Sequence, residues 1–106
     1  MNINNLNGKT IKIGFSTFTI IFPYDFKERT DLQAQLDYSR KELRLRNRDP
    51  GGDIRCNEEI ICSLFHEILH PINYMFNADK LDEDNISQLA KGLTQVFLDN
   101  FVFELK

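Results

Sequence analysis

Apolar and polar positions alternate along the first half of the chain. Ile11, Ile13 and Phe15 alternate with Lys12 and Gly14, and Phe18, Ile20 and Phe22 alternate with Thr17, Thr19 and Ile21. A period of two marks strands with one buried face. Residues 9–22 therefore predict a hairpin turning at Gly14 to Ser16, and Pro23 ends the run. Residues 24–33 keep no period and predict a loop. Ala34, Leu36 and Tyr38 then alternate with Gln35 and Asp37, and Leu43 and Leu45 with Glu42, Arg44 and Arg46. This predicts a second hairpin, turning at Ser39-Arg40-Lys41.

Asp49-Pro50-Gly51-Gly52-Asp53 breaks the chain, and beyond it the period becomes helical. Ile61, Leu64, Phe65, Ile68 and Ile72 share a stripe. Asn57 is the expected N-cap, with Glu58 and Glu59 complementing the helix dipole in the first turn. A second helix is predicted from a cap at Asp82, burying Ile86, Leu89, Ala90, Leu93, Val96 and Phe97. Residues 1–8 read as a loose lead-in, and Phe101 to Leu105 as a short strand or docking segment. The expected architecture is α+β, one domain over residues 1–106: a small antiparallel sheet of two hairpins in 9–48, then a helical half in 57–100.

Composition narrows the function classes. A length of 106 residues suits a single domain, too small for a deep pocket. The net charge of −3 argues against a nucleic-acid binder. The basic run Arg40, Lys41, Arg44, Arg46 and Arg48 reads as the solvated face and turn of an amphipathic strand. Cys56 and Cys62 fall on a predicted helix where they are not spaced to pair, which suggests a reducing compartment. The first residues show no basic segment followed by an apolar run, and no stretch approaches the ~20 apolar residues of a membrane span. The expectation is a soluble, cytoplasmic protein with no nucleic-acid or membrane partner.

The candidate chemistry lies in His66-Glu67-Ile68-Leu69-His70, which uses both histidines of the chain. On a helix, side chains four apart lie on one face. Two neutral imidazoles so placed can hold one Zn2+, and Glu67 between them is positioned to take a proton from water as general base. A third ligand is needed, and the carboxylates opening the second helix supply candidates. Glu83 has the longer reach; Asp82 is the alternative, with a competing role as cap. Tyr74, one turn past His70, and Tyr38, on the second hairpin, are possible donors to an oxyanion. Pro71 follows His70 directly and is expected to kink or end the helix there.

The motif His66-Glu67-Ile68-Leu69-His70, the short linker after it, and the stretch Glu83 to Phe97 together resemble the small H-E-x-x-H proteins of phages and prophages. Those proteins are similar to minimal zincins of the Glu-ligand type. The resemblance is carried by the metal helix and by Leu89 to Phe97, and it departs from the usual pattern at Pro71. It implies two hairpins before the metal helix, His66, His70 and Glu83 as zinc ligands, Glu67 as general base, and hydrolysis of a peptide or protein substrate. Zincins align substrate along an exposed edge strand, for which Glu42 to Arg46 is the expected segment. The alternative is a zincin-like metal-binding protein that has lost catalysis and serves a mobile element as an interaction or regulatory module.

Overall fold

The computed structural model describes residues 3–27, 29 and 31–106. Strands β1 (Thr10–Ile13) and β2 (Ser16–Ile21) form the first hairpin, with Ile13 opposite Ser16. Gly14 takes a φ of 59° in the turn between them. Tight hairpin turns need a positive φ at this position, and glycine reaches it without strain. Strands β3 (Ala34–Asp37) and β4 (Glu42–Leu45) form the second hairpin, with Leu36 opposite Leu43.

The two hairpins join through β2 and β4, which run parallel, so the strand order is β1-β2-β4-β3. The sheet is mixed, where alternation alone suggested an antiparallel one. Alternation identifies each strand's buried face but is silent on how two hairpins meet. The same pairing corrects the expected edge. Glu42–Leu45 is an inner strand, and the open edges are β1 and β3.

Being central, β4 is covered on both faces. Leu43 and Leu45 enter the core, while Arg44, expected on a solvated face, is only 7% exposed. Its guanidinium bonds Glu42 and Gln35, pairs with Asp37 at 3.0 Å, and lies over the Tyr24 ring. Charged groups leave water only when partnered in this way. The core face is built from Leu6, Ile13, Phe18, Ile20, Leu43 and Leu45. The lead-in is not loose: a 3-10 turn at Ile3–Leu6 seats Leu6 in the core, and the Gly8 N–H donates to the Ile20 carbonyl. The tail docks without forming a strand, Phe103 and Leu105 packing against the same core.

Helix α1 (Asn57–Phe76) lays Ile60, Ile61 and Leu64 on this sheet. Its cap is Cys56, not Asn57, and gives no side-chain capping bond. Ile72 is exposed rather than on the buried stripe. Of the kink or end expected near His70, the end does not occur: the helix continues through Pro71 to Phe76. Proline removes one hydrogen bond, to the Glu67 carbonyl, and the Pro71 ring is fully buried in return. Helix α2 (Glu83–Asn100) starts from Asp82, whose side chain accepts from the Asn85 N–H at 2.8 Å. It packs on α1 through a seam of Ile86, Ala90 and Thr94, with the Phe97 ring against Phe65, while Leu89 and Val96 are exposed against expectation. Cys56 and Cys62 are both free thiols. No helix among the described residues is long and apolar enough to cross a membrane.

Candidate metal centre and cleft

Polar residues mark the face of α1 that turns away from the sheet. Glu59, Ser63, His66, His70, Asn73 and Asn77 recur at spacings of three and four, the period of one helix face. The Glu83 carboxylate reaches this stripe from the first turn of α2. Its oxygens lie 2.6 Å from His66 Nε2 and 3.1 Å from His70 Nε2, and the two ring nitrogens are 3.2 Å apart. Asp82 is occupied as the helix cap and is not part of this group.

The donor set suits a small divalent cation. One ligand atom from each of His66, His70 and Glu83 falls within 4.8 Å of the others. Two nitrogens held tetrahedrally by zinc at about 2.05 Å stand about 3.3 Å apart, close to the 3.2 Å separation of the two imidazoles. His66 Nδ1 faces the Ser87 hydroxyl at 3.4 Å. Accepting from Nδ1–H, that hydroxyl leaves the Nε2 lone pair for a metal, the usual outer support of a ligating histidine. Side-chain exposure rises from 23% at His66 through 34% at His70 to 62% at Glu83, so the cluster opens to solvent on one side.

Glu67 borders the same cleft. Burial, and then the charge of Glu83, push its carboxyl up to about 7, against the opposing pull of the Leu36 N–H. That hydrogen bond comes from edge strand β3. The Gln33 carbonyl accepts from the Arg46 N–H. By antiparallel alternation Gln35 and Asp37 also bond to β4, which leaves the peptide groups of Ala34 and Leu36 turned to the open edge. The cleft between β3 and α1 encloses about 420 Å³ and is lined by Ala34, His66, Glu67 and Glu83, with Arg55 and Lys91 towards one end. Tyr38 follows β3 directly, its ring edge-on to Phe18. Burial raises the Tyr38 hydroxyl's pKa, and the charges of Glu67 and Asp79 add to this. Tyr74 is far more exposed, at 70% against 47% for Tyr38.

Two residues that sequence reasoning passed over hold the cleft in shape. Arg55 is 4% exposed. It donates to the carbonyls of Gln33 at 3.1 Å, Arg46 at 2.9 Å and Glu59 at 3.1 Å, and to the Ser63 hydroxyl. Burial lowers its pKa, with the Glu59 carboxylate opposing the shift. Asn73, 2% exposed, governs the turn between the helices. Its amide donates to Asp79 and to the Leu81 carbonyl, and accepts from Asn77 and the Leu81 N–H, all at 3.0 to 3.1 Å. Every donor and acceptor of that side chain is thereby used. The turn needs such support because Ala78 and Asp79 both sit at positive φ, 49° and 57°, a strained region for residues with a Cβ. The signal for Asn73 was present: it continues the polar stripe of the two histidines. Arg55 left none, since an arginine before a helix ordinarily points to water.

Comparisons with protein families, with curated proteins and with solved structures find no match to this chain.

Proposed function

We propose that the protein is a zinc-dependent peptidase of minimal zincin-like design, with His66, His70 and Glu83 holding the metal and Glu67 as general base. The observation that carries this reading is the convergence of two imidazole nitrogens and one carboxylate, from two helices, beside a buried glutamate. A zinc held there supplies Lewis acidity to a peptide carbonyl and brings its bound water to a pKa near 7. Glu67 takes a proton from the attacking water and returns it to the amine nitrogen as the carbon–nitrogen bond breaks. Burial holds this carboxyl above the ordinary carboxylate range, which favours its return of the proton to the leaving amine. The substrate chain lies along the open edge of β3, pairing with the peptide groups of Ala34 and with the Leu36 carbonyl, the Leu36 N–H being held by Glu67. Tyr38, which feels the charge of Glu67, is the better donor to the developing oxyanion; Tyr74 lies further out.

The test is metal content together with turnover. Purified protein should carry one zinc per chain, lost in His66→Ala and Glu83→Ala, while Glu67→Gln should keep zinc and abolish hydrolysis of a mixed peptide pool. A folded wild-type protein that takes up no zinc would end this reading.

A further inference from the structure

We propose that the cleft takes an extended peptide bearing a carboxylate two to four residues from the scissile bond, received by the Lys91 ammonium. The inference rests on the peptidase reading and adds a substrate class to it. Lys91 lines the same cavity of about 420 Å³ as His66, Glu67 and Glu83. It is exposed on α2, and among the described residues its ammonium makes no hydrogen bond and no ion pair.

Three walls of the cleft lead from the metal centre to this lysine. Glu83, Ser87 and Lys91 are spaced by four and share one face of α2. The Ser87 hydroxyl faces His66 Nδ1, so α2 runs back along α1 past that ring. On α1 the lining steps back from His66 through Ser63 and Cys62 to Glu59, and before β3 it runs from Ala34 through Gln33 to Asp31. Arg55 joins the Gln33 carbonyl to the Glu59 carbonyl and the Ser63 hydroxyl, so these two walls reach the same end. A helix rises about 1.5 Å per residue, which sets Lys91 roughly 12 Å along α2 from Glu83. An extended peptide advances about 3.3 Å per residue and covers this distance in three to four residues. The flexible four-carbon stem of lysine lets the ammonium meet a position one residue nearer.

The charges around Lys91 identify what it receives. Asp31 is held by Arg29 through two hydrogen bonds of 3.1 Å. The Glu59 carboxylate lies 3.8 Å from Arg55 Nε, and the Arg55 side chain is only 1% exposed, its terminal nitrogens turned to backbone and Ser63. Both acids at this end thus have a cation beside them, and Arg55 is enclosed. Lys91 is left as the cation without a counter-charge among the described residues that line this end. Such an ammonium attracts a carboxylate and repels a cationic side chain. An Asp or Glu side chain and a chain terminus both present that group.

The experiment titrates Gly/Ser heptapeptides into Glu67→Gln protein, zinc-loaded and zinc-free. A single Glu is walked through one capped series and a single Gln through another, and a further pair ends in a free or an amidated C-terminus. A carboxylate peptide should bind roughly 3- to 10-fold tighter than its neutral counterpart, between an exposed ion pair and a charge-assisted hydrogen bond. The gain should shrink as salt is raised. A gain at one Glu register assigns the carboxylate to a side chain, and a gain confined to the free C-terminus assigns it to a chain end. Lys91→Met should remove the gain without lowering zinc content. A gain that survives Lys91→Met would put the carboxylate on the metal and overturn the inference, as would equal binding of charged and neutral peptides. Wild-type protein separates the two readings. Hydrolysis of peptides that bind without regard to charge discards the subsite and keeps the peptidase. Lys91-dependent binding with no hydrolysis keeps the subsite and discards the peptidase.

Discussion

Arg55 and Asn73 do the same kind of work at opposite ends of the cleft, with different chemistry. Each is almost fully buried and each is a hub of hydrogen bonds to backbone. Arg55 is a cation that ties the strands flanking the cleft to the first turns of α1. Asn73 is neutral and ties the last turn of α1 to the segment that delivers Glu83. Arg55 carries a buried charge whose Nε has no hydrogen-bond partner, its nearest acid being Glu59 at 3.8 Å. Asn73 is fully satisfied. The charged hub therefore bears chiefly on whether the sheet and helix stay joined, and the neutral hub on where a metal ligand stands.

The largest effect expected from this contrast is at Arg55. Replacing it by Met removes four hydrogen bonds. The Gln33 carbonyl keeps the Arg46 N–H and the Glu59 carbonyl its helical bond, but the Arg46 carbonyl and the Ser63 hydroxyl lose a partner, and each unmet group costs about 1–3 kcal/mol. Arg55→Met should lower stability by about 3 kcal/mol or more, read by denaturant unfolding, while the fraction that remains folded binds zinc as the wild type does. Equal damage to zinc affinity in folded protein would erase the distinction between the hubs. Asn73→Ala comes next. It should weaken zinc binding roughly 10- to 100-fold, the range for residues that orient a ligand, measured by competition with a chelator. In a Glu83→Ala background the same change should add little, because its route to the metal has gone. Additive losses would make Asn73 a general prop. The smallest effect is expected at Asp82. Asp82→Ala should cost about 0.5–2 kcal/mol as a lost cap and shift zinc affinity only slightly. A loss as large as that of Glu83→Ala would reassign the third ligand.

The sequence made some of this legible because local patterns carry it. Period-two alternation located both hairpins, since each strand's buried face is set by its own side chains. Helical spacing put His66 and His70 on one face, and reach and capping together favoured Glu83 over Asp82. What stayed hidden depends on distant partners. The parallel union of β2 and β4 joins segments that share no turn, so alternation assigned the open edge to the wrong strand of the second hairpin. Arg44 looked solvated because two of its partners, the Asp37 carboxylate and the Gln35 amide oxygen, lie on the adjacent strand. The breadth of the α2 seam was overread for a similar reason. A helix can carry more apolar residues than its partner covers: Ile86 and Ala90 are fully covered here, Leu93 and Phe97 partly, and Leu89 and Val96 stay exposed.

The parallel crossover also separates what is free to vary from what is not. The chain between β2 and β4 carries the whole of β3, and with it the wall against which a substrate would lie. Neither the metal helix nor the core strands lie on that excursion. Substitutions at Asp31, Leu32 or Gln33 can reshape one wall of the cleft while the two histidines and Glu83 keep their positions on α1 and α2. The wall of the cleft and the His66–His70–Glu83 cluster are in this sense held on separate stretches of chain, so one can change without rebuilding the other.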